Sequence, residues 1–193
     1  MKPSPLRLEW VVYPSLRYEA RPSEASAKPI PTSITAKVIY FADGRHGAEL
    51  HLESAGSDLD LYTFAVDVVA TFSIDVGVAL EAYRCKPAGL PRIVAANIAR
   101  VLYSGARELL ATATGRSPHG PALIESVLIE PNDVTISSNE PIETILRDLF
   151  RVDEESLAQL RGAGPQKEQL ATSAVGDDKK KRAAKKRRVP TAP

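Results

Sequence analysis

One cysteine, one methionine, one tryptophan and three histidines are spread over 193 residues. The single thiol, Cys85, excludes an internal disulfide and a thiolate metal cluster, and fits a reducing compartment. The histidines His46, His51 and His119 fall in a turn, on the polar side of an alternating segment and in a loop. None has the H-x-x-E-H or H-E-x-x-H spacing of a metal site, so each reads as structural. No apolar run approaches the roughly 18 residues of a membrane span. The opening MKPSPLRLEW has no apolar signal core, so a soluble, cytoplasmic protein is expected.

An excess of charge of one sign is missing from the chain as a whole, which holds 25 basic and 24 acidic residues. It reappears when the chain is divided. Residues 1–176 hold 17 basic and 22 acidic residues, a net of −5, whereas eight basic and two acidic residues follow from Asp177. The cations are Lys179, Lys180, Lys181, Arg182, Lys185, Lys186, Arg187 and Arg188. A domain built to grip phosphate spreads its cations over a folded face. Here they lie beyond it, as a site for weak contact with RNA, ribosomes or another anionic surface. From Gly162 the hydrophobic pattern stops, so residues 1–161 are expected as one domain and 162–193 as a disordered basic tail.

Within the domain the first half alternates with period two. Leu6, Leu8, Trp10 and Val12 share a face, and Pro14 interrupts the run before Leu16 and Tyr18. Ile34, Ala36, Val38 and Tyr40 form a second row, Ala48, Leu50 and Leu52 a third, and Tyr62, Phe64, Val66 and Val68 a fourth. Short turns such as ADGRHG between them predict an antiparallel meander. The period then changes. Val94, Ile98, Val101, Leu102, Gly105 and Leu109 lie on one helical stripe over Leu90–Thr114, with Gly115 placed to end it. LIESVLIEP reads as extended, and NEPIETILRDLFRVDEESLAQLRGAG as a second helical region whose Glu140, Pro141 and Glu143 suit a helix start. The fold class is α+β, a four-stranded antiparallel sheet with the helices packed on one face.

No catalytic constellation emerges. Cys85 has no histidine near it in sequence, GRSPHGP follows a helix and lacks the lysine of a phosphate loop, and Asp58 and Asp60 sit where a turn favours aspartate. Neither an enzyme nor a cofactor is expected. Four strands and two helical regions leave one sheet face short of cover, and apolar groups project from both faces. Trp10, Tyr40, Phe41, Tyr62 and Phe64 are therefore expected to contribute to an exposed apolar surface that binds other proteins.

Three segments, in order, resemble the bacterial protein-export chaperone SecB. They are LRLEWVVYPSLRYEA with its closing Tyr18, Glu19 and Ala20, the strand ending in Phe72, Ser73 and Ile74, and LYSGAREL with Ala106, Arg107 and Glu108. GRSP…LIEPND is similar to the stretch that follows in the family. The resemblance, over about residues 6–150, implies ATP-independent holding of unfolded client proteins in protein transport. It also implies a homo-oligomer in which protomers pair and pairs stack into a tetramer. The family's translocation motor docks on an acidic sheet surface, where this chain keeps Glu19 but has Ser15, Thr63 and Ala65. Relatives that serve toxin–antitoxin systems make an antitoxin an alternative partner. A nucleic-acid- or ribosome-associated protein acting through the basic tail is the alternative from another class.

Overall fold

Alternation along three neighbouring strands positions everything else. In a computed structural model, which describes residues 4–22, 28–56 and 60–162, β2 (Thr32–Tyr40), β3 (Arg45–Ser54) and β4 (Tyr62–Ile74) form an antiparallel meander. Ala36, Val38, Tyr40, Ala48, Leu50, Leu52 and every second residue from Tyr62 to Phe72 point to one face and are buried. A strand presents successive side chains to opposite faces, so this pattern commits one face to the core. Asp43 and Gly44 make the β2–β3 turn, Gly44 at φ 82, while the Asp43 carboxylate accepts the Arg45 N–H at 3.0 Å.

The long helix α2 (Leu90–Thr114) lies across that face and contributes Val94, Ala95, Ile98, Leu102, Ala106 and Leu110 to the core. Its bounds are those the periodicity predicts. Val101, expected on the buried stripe, is 48 % exposed. Gly115 stands at the C-cap with φ −57 and its N–H on Thr112 O, so it ends the helix without entering the left-handed region.

The sheet differs from expectation in strand number and direction. It has five strands in the order β1-β4-β3-β2-β5 and is mixed, because β5 (Val134–Ser138) runs parallel to β2. The five-residue VTISS carries only Val134 and Ile136 as alternating apolar positions, too few to stand out from the loops around it. Within LIESVLIEP the only described strand pairing is an isolated parallel bridge, Ile124 to Ile30.

Strand β1 (Leu6–Ala20) pairs with β4, not β2, and its register shifts between Leu8 and Trp10 and again between Val12 and Ser15. An extra residue in one strand turns the following side chains to the other face. Leu8 thus sits opposite Phe72 and Trp10 opposite Thr71, so the single face expected for Leu6, Leu8, Trp10 and Val12 is split in two. The second shift, at Tyr13 and Pro14, sends the Tyr13 hydroxyl to Gly105 on α2. A Cβ there would lie 2.8 Å from that oxygen, so glycine allows the close approach.

The remaining elements close the far end of the core: α1 (Val76–Tyr83), a 3-10 turn at Pro87–Gly89, α3 (Ile142–Asp148) and α4 (Glu154–Gly162). Asp75 caps α1 through its carboxylate on the Val78 N–H at 3.0 Å. Tyr40, Phe72, His46 and Phe150 form a ring cluster there, with Tyr40 and Phe150 edge to face at 5.0 Å. The histidine expected in a turn, His46, is 1 % exposed within this cluster. His46 lies two residues before Ala48, and strand alternation carries it to the core face.

Candidate functional site

The outer edge of β2 is covered at both ends and open between them. At one end Ile30 donates its N–H to Leu123 O at 2.8 Å and accepts the Glu125 N–H at 3.2 Å. At the other, the parallel ladder starts at Ala36 and Val134. Residues 31–35 and 125–133 lie between, and no described backbone hydrogen bond joins the two stretches. Pro31 O accepts from Ala55 on the β3 side. Since hydrogen-bonding groups alternate sides along a strand, the N–H and C=O of Thr32 and Ile34 face the open side.

A cleft of about 340 Å³ fills this interval, lined by Thr32, Ile34, Ala36, Val127, Leu128, Ile129 and Asp133. Thr32 Oγ1 is buried there without a hydrogen-bond partner among the described residues. Leu128 is 71 % exposed at the mouth, with Val127 and Leu123 also exposed. Glu125, Glu130 and Asp133 are exposed along the same segment, and the Asp133 carboxylate accepts the Glu130 N–H at 2.7 Å.

Four α2 side chains hold the outer wall. Thr114 Oγ1 accepts the Ala122 N–H at 2.7 Å, the Arg107 guanidinium donates to Ile124 O at 3.2 Å, and the Tyr103 hydroxyl donates to Glu125 O. Arg100 donates through Nε and Nη2 to Ile129 O at 2.9 and 2.6 Å. Spacings of three, four and seven residues put these groups on one helix face. The wall is thus tied at 122–125 and at 129, and Ser126, Val127 and Leu128 between the ties are exposed. Arg100→Ala should release the second tie. Hydrogen bonds to a charged group contribute about 1.5–3 kcal/mol, so we expect amide exchange at Ser126–Glu130 to quicken at least tenfold in hydrogen-exchange mass spectrometry, with the β3 and β4 amides unchanged.

The anticipated apolar residues separate into two groups. Tyr40, Tyr62 and Phe64 are 0, 1 and 5 % exposed and belong to the core, which corrects their placement on an exposed surface. They share the inward parity of β2 and β4, and α2 covers that face. The Tyr40 phenol donates to Pro91 O at 2.6 Å, and burial pushes its pKa up. The Tyr62 hydroxyl donates to Gly120 O at 2.6 Å. Trp10, 54 % exposed, and half-buried Phe41 lie on the helix-free face, where Gly47 and Ile39 adjoin Phe41.

Further along that face, His51 Nδ1 is 2.6 Å from Asp67 and Nε2 is 3.5 Å from Glu53. The hydrogen bond to Asp67 raises the imidazole pKa. His119 Nε2 lies 2.8 Å from Arg21 O and joins the loop after α2 to the end of β1. Glu19 is exposed on β1 opposite Thr63. Residues 179–188, expected to contact polyanions, lie outside the described residues, as does most of the expected tail.

The sequence reading missed the cleft because its edge comes from pairing, not composition. The one local signal was the apolar run Val127-Leu128-Ile129 ahead of Pro131, within a stretch read only as extended.

No protein-family model matches the chain, and no curated protein matches it. Among solved structures it is similar to the SecB-like chaperone of Mycobacterium tuberculosis, determined in complex with a peptide of the HigA1 antitoxin. Identity is 12 %, with 63 % of this chain and 89 % of that chain covered at a TM-score of 0.47. It is also similar to a Streptococcus agalactiae protein of unknown function, at 14 % identity, 63 % and 97 % coverage and a TM-score of 0.38.

Proposed function

We propose that the chain is an ATP-independent holdase that takes extended apolar stretches of non-native protein along the Thr32–Ala36 edge of β2. The observation that carries this reading is the unpaired edge with an apolar cleft beside it. Backbone groups left open on a strand edge pair with any extended chain, because main-chain hydrogen bonds are independent of side-chain identity, while flanking pockets add apolar contact. A client with unpaired backbone and exposed apolar groups supplies both halves. Fixing the client's backbone costs about 1–2 kcal/mol per residue, so several short contacts on a mobile client are more favourable than one long ordered one.

The SecB resemblance supports the same reading, with an antitoxin or an export-bound precursor as client and a cytoplasmic homo-oligomer as the working form. Docking of a translocation motor through Glu19 is the weaker part, since Ser15, Thr63 and Ala65 replace the residues expected around it.

Purified protein should suppress light scattering by a reduced, unfolded test protein without nucleotide. Val127→Asp combined with Leu128→Asp should lower client affinity about tenfold, while stability shifts by no more than about 0.5 kcal/mol, as is usual for surface substitutions. Undiminished suppression by this variant would remove the cleft from the mechanism.

A further inference from the structure

Two parallel pairings bound the open interval on β2, and their registers disagree by four residues. Ile30 pairs with Ile124 and Ala36 with Val134, so six steps along β2 face ten along the wall. Paired strands advance step for step, so the wall has four residues too many to follow the edge throughout. Those four have a place. Glu130, Pro131, Asn132 and Asp133 form a turn in which the Asp133 N–H donates to Glu130 O at 3.0 Å and the Glu130 N–H to the Asp133 carboxylate at 2.7 Å. Arg92 on α2 holds the turn, donating to Asn132 Oδ1 at 3.3 Å. With the surplus stored there, residues 125–129 match residues 31–35 in length.

The stretch can join the edge from one end only. From the β5 end, Thr32 O would need the N–H of residue 131, which is proline, and Ile34 O would need the Asp133 N–H, already used in the turn. From the other end nothing intervenes. Ile30 bonds to Leu123 O and to the Glu125 N–H. The next rungs of the same ladder are Thr32 N–H to Glu125 O, Val127 N–H to Thr32 O and Ile34 N–H to Val127 O. Side chains of paired residues share a face. Ser126 would therefore stand beside Thr32, whose Oγ1 lacks a partner among the described residues, and Leu128 beside Ile34 in the apolar cleft. Leu128, 71 % exposed with the strap open, would gain the most burial.

Both ties to α2 survive the movement. Glu125 O has a second lone pair beside the one that Tyr103 uses. Ile129 O, held by Arg100, has no β2 donor to serve, because Ala36 pairs with β5. Ile129 stays buried next to an inward Leu128 through a one-residue bulge, an irregularity that β1 already absorbs twice.

We propose that Ser126–Leu128 is a strap that closes on the Thr32–Ile34 edge in the absence of client and is displaced when client binds. An uncovered strand edge invites pairing with other chains, and the strap covers it while the chain is idle. The displacement rests on the holdase reading; the closure itself does not. With closed and open states in a ratio of about ten to one, apparent client affinity falls about tenfold.

Two measurements on the full chain test this. In the first, amide exchange of the ¹⁵N-labelled protein is followed by NMR, each rate corrected for its intrinsic value. The Val127 N–H points to β2 when the strap closes, and the Ser126 N–H points away from it. Without client, the Thr32, Ile34 and Val127 amides should exchange about tenfold more slowly than Ser126. Val127 exchanging as fast as Ser126 would overturn the closure, as would a slow Val127 beside fast Thr32 and Ile34. In the second, a fluorescent, uncharged ten-residue peptide of alternating Val and Ser is titrated by anisotropy. Val127→Pro removes the strap's donor at an exposed position and should bind the peptide about tenfold more tightly than wild type. Saturating peptide should bring the wild-type Val127 amide to the Ser126 rate while Thr32 and Ile34 stay slow. Equal affinities, or a Val127 amide still slow in the complex, would remove the displacement. If neither form binds the peptide while Val127 is protected as expected, the strap stands and the holdase reading of the cleft fails.

Discussion

Replacing Phe150 by alanine is expected to lower the unfolding free energy by about 3–5 kcal/mol, the usual range for truncating a fully buried aromatic side chain. Phe150 is 0 % exposed, and its ring meets that of Tyr40 edge to face at 5.0 Å. The loss has two sources: the transfer of the ring out of water, and a cavity beside Tyr40, whose hydroxyl ties the end of β2 to Pro91 at the start of α2. For a folded part of this size the melting temperature should fall by about 10 °C, and Phe150→Leu should recover more than half of that. Differential scanning calorimetry decides the matter. A loss below 1 kcal/mol would mean that the region after β5 does not share the core.

Acid should destabilise the protein through His46 well before its exposed carboxylates titrate fully. Burial among Tyr40 and Phe72 lowers the imidazole pKa to about 4, against the opposing pull of Asp43 and Glu9. Nδ1 accepts the Phe41 N–H at 3.3 Å, so the neutral ring carries its proton on the buried, partnerless Nε2, and a second proton on Nδ1 would face that N–H and break the bond. The folded pKa is depressed below the unfolded value of 6.5. The unfolded chain therefore takes up the proton first as pH falls. Stability is complete above pH 6.5, declines from there to about pH 4 and levels off once both states are protonated. The whole loss is about 3 kcal/mol. Urea denaturation between pH 7.5 and 4 should show this slope, and His46→Gln, which cannot titrate, should flatten it. His51 works in the opposite sense, because its raised pKa stabilises the fold below pH 6.5 and that contribution fades as pH rises. The difference between wild type and His46→Gln separates the two.

How far the fold was legible depends on whether local pattern or long-range pairing decided each element. Leu90–Thr114 was legible to the residue, because twenty-five residues of one period outweigh any competing local preference. The inward rows of β2, β3 and β4 were legible for the same reason. Tyr40, Tyr62 and Phe64 belong to those rows, and reading them both as one buried face and as an exposed surface was inconsistent, resolved only when α2 was seen to cover that face. Trp10 was placed on the wrong partners because a bulge inserts one residue, and a single inserted residue reverses every later side chain. His46 was misread because the turn ends at Gly44, three residues before the end of the Gly- and Asp-rich ADGRHG that suggests it.

The amino-acid sequence alone settled the α+β class, the long helix, the sidedness of the central strands and the partition of charge between the body and residues 179–188. Each is a property of neighbouring residues, and each survives any choice of strand order. Tertiary structure alone decided that β1 joins β4, that β5 returns parallel to β2, and that residues 31–35 have no described backbone partner on the side away from β3, beside a cleft. Those facts depend on which distant backbones meet, and hydrogen-bonded pairing is blind to the side chains that carry a sequence pattern.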